Sequence, residues 1–203
     1  MTLARDSSTV ASVEWLRTRF ANHVPAGVSV EEADVVVAGP LTPAAVLVPI
    51  VLRDQEPTVL LTRRTDHLHH HPGQVSFPGG RVEVEDMSPV DTALRETEEE
   101  IGLVREKVEL LGCLPQYRTG TGFDVTPVVG LVTPPLGLIL DAFEVAEAFE
   151  VPLSFLLDQG NHRLHSVEVR GVMRDYYAMP YGDYFIWGAT AGMLVSLHRF
   201  LCR

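Results

Sequence analysis

The feature that most constrains this chain is a run of acids, Glu96-Thr97-Glu98-Glu99-Glu100, set behind the diglycine Gly79-Gly80. On a wheel that advances about 100° per residue, Glu99 falls about 60° to one side of Glu96 and Glu100 about 40° to the other. Three carboxylates therefore share one face. Val90, Leu94, Thr97 and Ile101 gather on another sector, so residues 88–101 predict an amphipathic helix with its acids on the solvent side. Like charges three and four apart weaken a helix by about 0.2–0.5 kcal/mol per pair, and the cluster calls for a compensating cation. Oxygen donors select hard ions such as Mg²⁺ or Mn²⁺. Arg95, one turn before Glu99, is placed to orient that carboxylate, whereas Glu98 points elsewhere and reads as solvated. Gly102 predicts a left-handed cap. A glutamate run alone also describes an ordinary charged surface helix. The diglycine adds weight to the other reading, because glycine lets a backbone approach a phosphate or metal closely.

Around this helix the 203 residues suit one domain with an N-terminal preface, divided as 1–40 (helix and linker) and 41–203. Val13, Leu16 and Phe20 predict a helix over 10–22, capped by Ser8 or Thr9 and ended by Pro25. Ala44–Val51, Thr58–Arg63, Gln74–Phe77, Val108–Leu114, Val125–Val132 and Val167–Met173 read as strands, with Gln74–Phe77 stopped by Pro78-Gly79-Gly80. Pro152–Leu157 and Gly188–Leu201 read as helices. Strands in blocks broken by isolated helices predict an α/β sandwich with a mixed sheet.

A formal net charge of −11 excludes an obligate nucleic-acid binder, which needs clustered Lys and Arg. The same charge fits a polyanionic small molecule only if divalent cations bridge the acids and the phosphates. Cys113 and Cys202 stand far apart, which predicts no disulfide framework and a reducing, cytoplasmic setting. No apolar run is long enough for a membrane span. The sequence leaves a homodimer open.

Gly80…Arg95-Glu96-Thr97-Glu98-Glu99-Glu100-Ile101-Gly102-Leu103 resembles the Nudix box, a glycine leading into REUxEExGU. Thr97 stands where an aliphatic residue is usual, one extra residue separates Gly80 from Arg95, and Asp86 replaces an early Glu that mainly supports the loop. Upstream, Leu60-Leu61-Thr62-Arg63-Arg64 and Leu68-His69-His70-His71-Pro72-Gly73-Gln74-Val75-Ser76-Phe77-Pro78-Gly79-Gly80 resemble the signature of coenzyme A diphosphatase-type Nudix proteins, which share the longer spacing. The likeness continues weakly through 184–192. His69 departs from it, standing where that signature has Arg.

The resemblance implies a Nudix-type α/β/α sandwich with a mixed β-sheet, and a Nudix diphosphatase that uses Mg²⁺ or Mn²⁺. Its implied substrates are coenzyme A and acyl-coenzyme A, cleaved to adenosine 3′,5′-bisphosphate and (acyl-)4′-phosphopantetheine. ADP-ribose, NADH or an oxidised nucleoside triphosphate is the alternative, and a Nudix-like module that only binds a nucleotide is a further one. Metal ligation is implied for Glu96, Glu99 and Glu100, with a backbone carbonyl near Gly79 or Gly80. Glu99 also serves as a water-positioning candidate, and Arg95 supports it. Glu144, in the acidic segment Asp141–Glu147, is the candidate base, against a plain solvated acid. Arg64, His71, Gly79 and Gly80 are candidate substrate contacts; a surface ion pair is the other reading of Arg64, and a structural hydrogen bond that of His71. Tyr117, Phe123 and Tyr181 are candidates to stack on adenine, against plain packing. His67, His69, His70 and His71 read as a polar loop beside the site rather than a transition-metal cluster.

Overall fold

The computed structural model describes residues 12–22, 30–31, 39–68, 72–169 and 171–202. In chain order these form α1 (Val13–Asn22), β1 (Val30–Glu31), β2 (Thr42–Val51), β3 (Thr58–Arg64), β4 (Val75–Ser76), β5 (Gly79–Arg81) and α2 (Pro89–Ile101). Then come β6 (Val108–Cys113), β7 (Tyr117–Arg118), β8 (Phe123–Val132), β9 (Val145–Pro152) and α3 (Leu153–Leu157). The chain closes with β10 (Arg163–Val169), β11 (Val172–Tyr181), β12 (Tyr184–Trp187) and α4 (Gly188–Leu201). Ser12, whose hydroxyl accepts from the Trp15 N–H, caps α1; Ser8, Thr9 and Pro25 lie outside the described residues.

The spine is β2, which runs parallel to β8 from Thr42 opposite Phe123 to Val51 opposite Val132. Its far end pairs antiparallel with β3 and its near end antiparallel with β5. The sheet is therefore mixed. Strand alternation sends Ala45, Leu47 and Val51 into one core with Ala93, Leu94 and Ile101 of α2. It sends Ala44, Val48 and Ile50 into a second core with Leu16 and Phe20 of α1 and Leu194 and Leu197 of α4. Burial on both faces explains why β2 reads as a nearly unbroken apolar run. The layers are those of an α/β/α sandwich. No described helix is long and apolar enough to cross a membrane.

Two stretches differ from expectation. Val167–Met173 is not one strand: it straddles the turn between β10 and β11, where Val169 faces Val172 and Gly171 takes a φ of 79°. Only glycine adopts that backbone at little cost. Val145–Pro152, acidic enough to hide its strand character, pairs along β3 because Arg63 neutralises Glu147 and Arg53 neutralises Glu150.

Candidate active site

The helix α2 forms where its local chemistry dictates. Ser88 accepts from the Asp91 N–H at 3.2 Å, Pro89 occupies the first turn, and Gly102 closes the end at φ 69° with its N–H on Glu98 O. Thr97 sits in the core, its hydroxyl donating to Ala93 O at 2.6 Å. That local bond lets a polar side chain stand at an apolar position.

One expectation for the helix fails. Glu100 does not face solvent: it is only 6% exposed. Glu99, 61% exposed, is the acid on the outer side. The reason lies across the groove, where Pro78-Gly79-Gly80 does not simply turn away. Gly79–Arg81 forms β5, which pairs with β2 and lies against α2. Gly79 holds a φ of 150°, and a Cβ there would collide with Ala45 O and the Val46 backbone. A Cβ on Gly80 would collide with the Glu96 carboxylate. Bare backbone at both positions lets Glu96 and Glu100 tuck under the strand, and Gly79 N–H donates to Glu100 Oε2 at 3.2 Å.

Burial pushes the Glu100 carboxyl up to about 8. The Gly79 N–H and the Arg64 guanidinium oppose the shift, while Glu96 and Glu144 reinforce it. Burial also raises the Glu96 carboxyl, with Arg95 opposing. Two neighbouring acids thus share one desolvated site, and the arginine beside each, Arg95 for Glu96 and Arg64 for Glu100, only partly offsets the cost of burial.

Arg95 organises the outer rim. Its guanidinium reaches Asp86 at 2.9 and 3.0 Å, Glu96 at 3.0 Å, Glu99 at 3.1 Å and Arg81 O at 3.2 Å. Asp86 also accepts from the Glu83 N–H and the Thr92 hydroxyl. Its carboxyl is held well below the usual range, chiefly by Arg95. It ties the loop before α2 to the helix.

From the other side, β3 delivers Arg64. Strand alternation puts Leu60 and Arg64 on the α2 face and Arg63 on the opposite one, where Arg63 meets Glu147 at 2.6 Å. The two ends of the Arg64 guanidinium lie 3.8 Å from Glu100 Oε1 and 3.9 Å from Glu144 Oε2. Glu144 is brought there by a loop stitched to the end of α2, with Ile139 N–H on Ile101 O and Asp141 N–H on Glu100 O, both at 2.9 Å. The sequence-predicted residues Arg64, Gly79, Gly80, Arg95, Glu96, Glu99, Glu100 and Glu144 therefore come together in one connected cluster. His69, His70 and His71 lie outside the described residues.

The aromatic candidates fare differently. Tyr117 is 4% exposed and packs in the core, Phe123 lies beneath Arg81, and Tyr181 packs on Phe155. The aromatic beside the groove is Phe143, 65% exposed and in ring contact with His67. No sequence pattern marks it, since exposure of a single loop ring is set by tertiary placement.

A mixed sheet presses a diglycine strand onto an acid-bearing helix, with an arginine reaching in from the next strand, so carboxylate oxygens and a guanidinium stand side by side. Residues 41–153 match the model of the NUDIX domain, and the chain belongs to the Nudix hydrolase family. It is an enzyme, a hydrolase of a nucleoside diphosphate derivative. It is 45% identical over 154 residues to the uncharacterized Nudix hydrolase NudL of Enterobacter sp. (strain 638), covering 76% of this chain and 80% of that protein. The NudL of Escherichia coli (strain K12) is 44% identical over the same length and shares. Among solved structures, a Caenorhabditis elegans (C. elegans) Ap4A hydrolase binary complex superposes with a TM-score of 0.48 at 21% identity, covering 54% of this chain and 80% of that one.

Nudix hydrolases generally use divalent metal ions. The site fits one: its donors are oxygens, the hard-ion choice, and its buried Glu100 and half-buried Glu96 are neighbouring carboxylates whose charged forms burial disfavours. Among the described residues no three acidic, imidazole or thiol groups converge as a ready cage.

Proposed function

We propose that this Nudix hydrolase cleaves the diphosphate bond of coenzyme A and acyl-coenzyme A, releasing adenosine 3′,5′-bisphosphate and (acyl-)4′-phosphopantetheine. The observation that carries the reading is the meeting of the two halves of the upstream signature at Glu100. Arg64 lies 3.8 Å from its carboxylate and Gly79 N–H donates to it at 3.2 Å. One residue from each part of the stretch that resembles the coenzyme A signature, Arg64 and Gly79, thus stands at the same carboxylate.

Glu96 and Glu100 would hold Mg²⁺ or Mn²⁺, with Glu99 as a further ligand or water-positioning group and a Gly79 or Gly80 carbonyl completing the set. When bound, the cation neutralises phosphate oxygens and acidifies the attacking water. Arg64 holds a phosphate of the diphosphate with its guanidinium fork. Glu144 accepts the proton of the water whose oxygen bonds to phosphorus, as the bridging P–O bond breaks and the leaving phosphate takes the electron pair. Arg95 keeps Glu96 and Glu99 in place, and His71 contributes a further substrate contact. The acyl end is remote from the diphosphate, so thioesters are accepted. Cys113 and Cys202 are free thiols, which supports a cytoplasmic setting.

The test is kcat/KM for coenzyme A, ADP-ribose, NADH and oxidised nucleoside triphosphates with Mg²⁺ or Mn²⁺. Coenzyme A is expected to lead. Equal or better turnover of ADP-ribose removes the coenzyme A assignment. Ligand-induced thermal stabilisation without hydrolysis of any diphosphate marks a binding module instead.

A further inference from the structure

The loop that delivers Glu144 carries Phe143, a large ring that serves no core. It is nonetheless held firmly. The Thr65 hydroxyl donates to Phe143 O at 2.8 Å, the Thr65 N–H donates to Glu144 O at 3.0 Å, and Phe143 N–H donates to Asp141 Oδ1 at 2.9 Å. Two residues past Thr65, His67 sets its imidazole against the phenyl ring, with centroids 4.9 Å apart and planes at 60°. Both rings are exposed. The residue after Phe143 is Glu144, 3.9 Å from the guanidinium that also lies 3.8 Å from Glu100. A braced aromatic corner therefore adjoins the phosphate-handling arginine.

A nucleoside diphosphate derivative presents a flat, π-rich base attached through a ribose to the phosphate that the arginine holds. Such a base gains from an aromatic face, and a second ring tilted at 60° can cover at most one of the two faces of the Phe143 ring. Among the described residues, Phe185 and Trp187 are further exposed large rings, but they stand on β12 in the separate three-stranded sheet. We infer that Phe143, braced by His67, is the platform on which the purine base of the substrate stacks. The inference rests on the diphosphatase reading of the groove, yet not on which adenine diphosphate is cleaved.

The experiment uses the full chain with Mg²⁺ and two variants. Phe143→Trp places an indole at the corner, with the wild type as the blank for Trp15 and Trp187. AMP, the part common to all adenine-bearing candidates, is titrated in, and 4′-phosphopantetheine is titrated separately. Stacking predicts saturable quenching of the added indole by AMP and none by phosphopantetheine. Phe143→Ala is expected to raise KM for the best substrate roughly tenfold, with kcat held within about twofold. An emission that AMP leaves unchanged, or that phosphopantetheine alone quenches, overturns the inference. So does an unchanged KM in Phe143→Ala. The substrate panel is read separately, so ADP-ribose could displace coenzyme A while AMP quenching still holds.

Discussion

Replacing Glu100 with Gln tests whether this carboxylate is buried as the structure places it. Burial lifts its carboxyl from an ordinary 4.5 to about 8. In metal-free protein between those pH values, the folded state keeps a proton that the unfolded chain has released. Unfolding free energy therefore falls as pH rises through that window and levels off above about 8. At about 1.4 kcal/mol per pH unit, the loss at alkaline pH is on the order of 3–5 kcal/mol. Gln stays neutral, fills nearly the same space, and its Oε1 still accepts from the Gly79 N–H. Denaturant melts in EDTA from pH 5 to pH 9 should show the wild-type curve sloping downward relative to Glu100→Gln, with the variant ahead by several kcal/mol at pH 9. Saturating Mg²⁺ should flatten the wild-type slope and leave the variant unmoved, while kcat of the variant collapses. Parallel curves in EDTA would refute the burial argument.

Three further substitutions probe the groove. Gly80→Ala drives a methyl into the Glu96 carboxylate, so kcat/KM should drop about 100-fold or more with a small change in Tm, by steady-state assay and calorimetry. Gly79→Ala meets the fixed backbone of Ala45 and Val46 at a φ of 150°; it should cost roughly 2–4 kcal/mol of stability in a denaturant titration. Arg95→Ala releases Glu96, Glu99 and Asp86 together, which should raise the Mg²⁺ concentration for half-maximal activity by about 10–100-fold.

The parts of this molecule that depend on neighbours in sequence were readable from it. The α2 helix follows from its apolar periodicity and Gly102, and the Arg95–Glu99 contact from one turn of spacing. Arg64 reaches the site because residues two apart on β3 share a face. What the sequence hid depends on distant partners. Glu100 is buried because β5 lies against α2 without side chains, a contact that no helical wheel contains. The strand at Val145–Pro152 exists because arginines from β3 and from beyond β2 neutralise its acids. The β10–β11 turn was masked by β-branched residues on both sides of Gly171. Phe143 gave no signal, since a loop aromatic acquires meaning only from what stands beside it.

The role proposed for Glu96 and Glu100, tucked beneath a glycine strand, is to bind a divalent ion. Mn²⁺ titration followed by electron paramagnetic resonance addresses it without substrate, comparing wild type with Glu96→Gln, Glu100→Gln and the control Glu98→Gln, whose carboxylate instead faces Arg105. Affinity should fall at least about tenfold in the first two variants and stay at the wild-type value in the third. Wild-type Mn²⁺ affinity in both Glu96→Gln and Glu100→Gln would contradict the account.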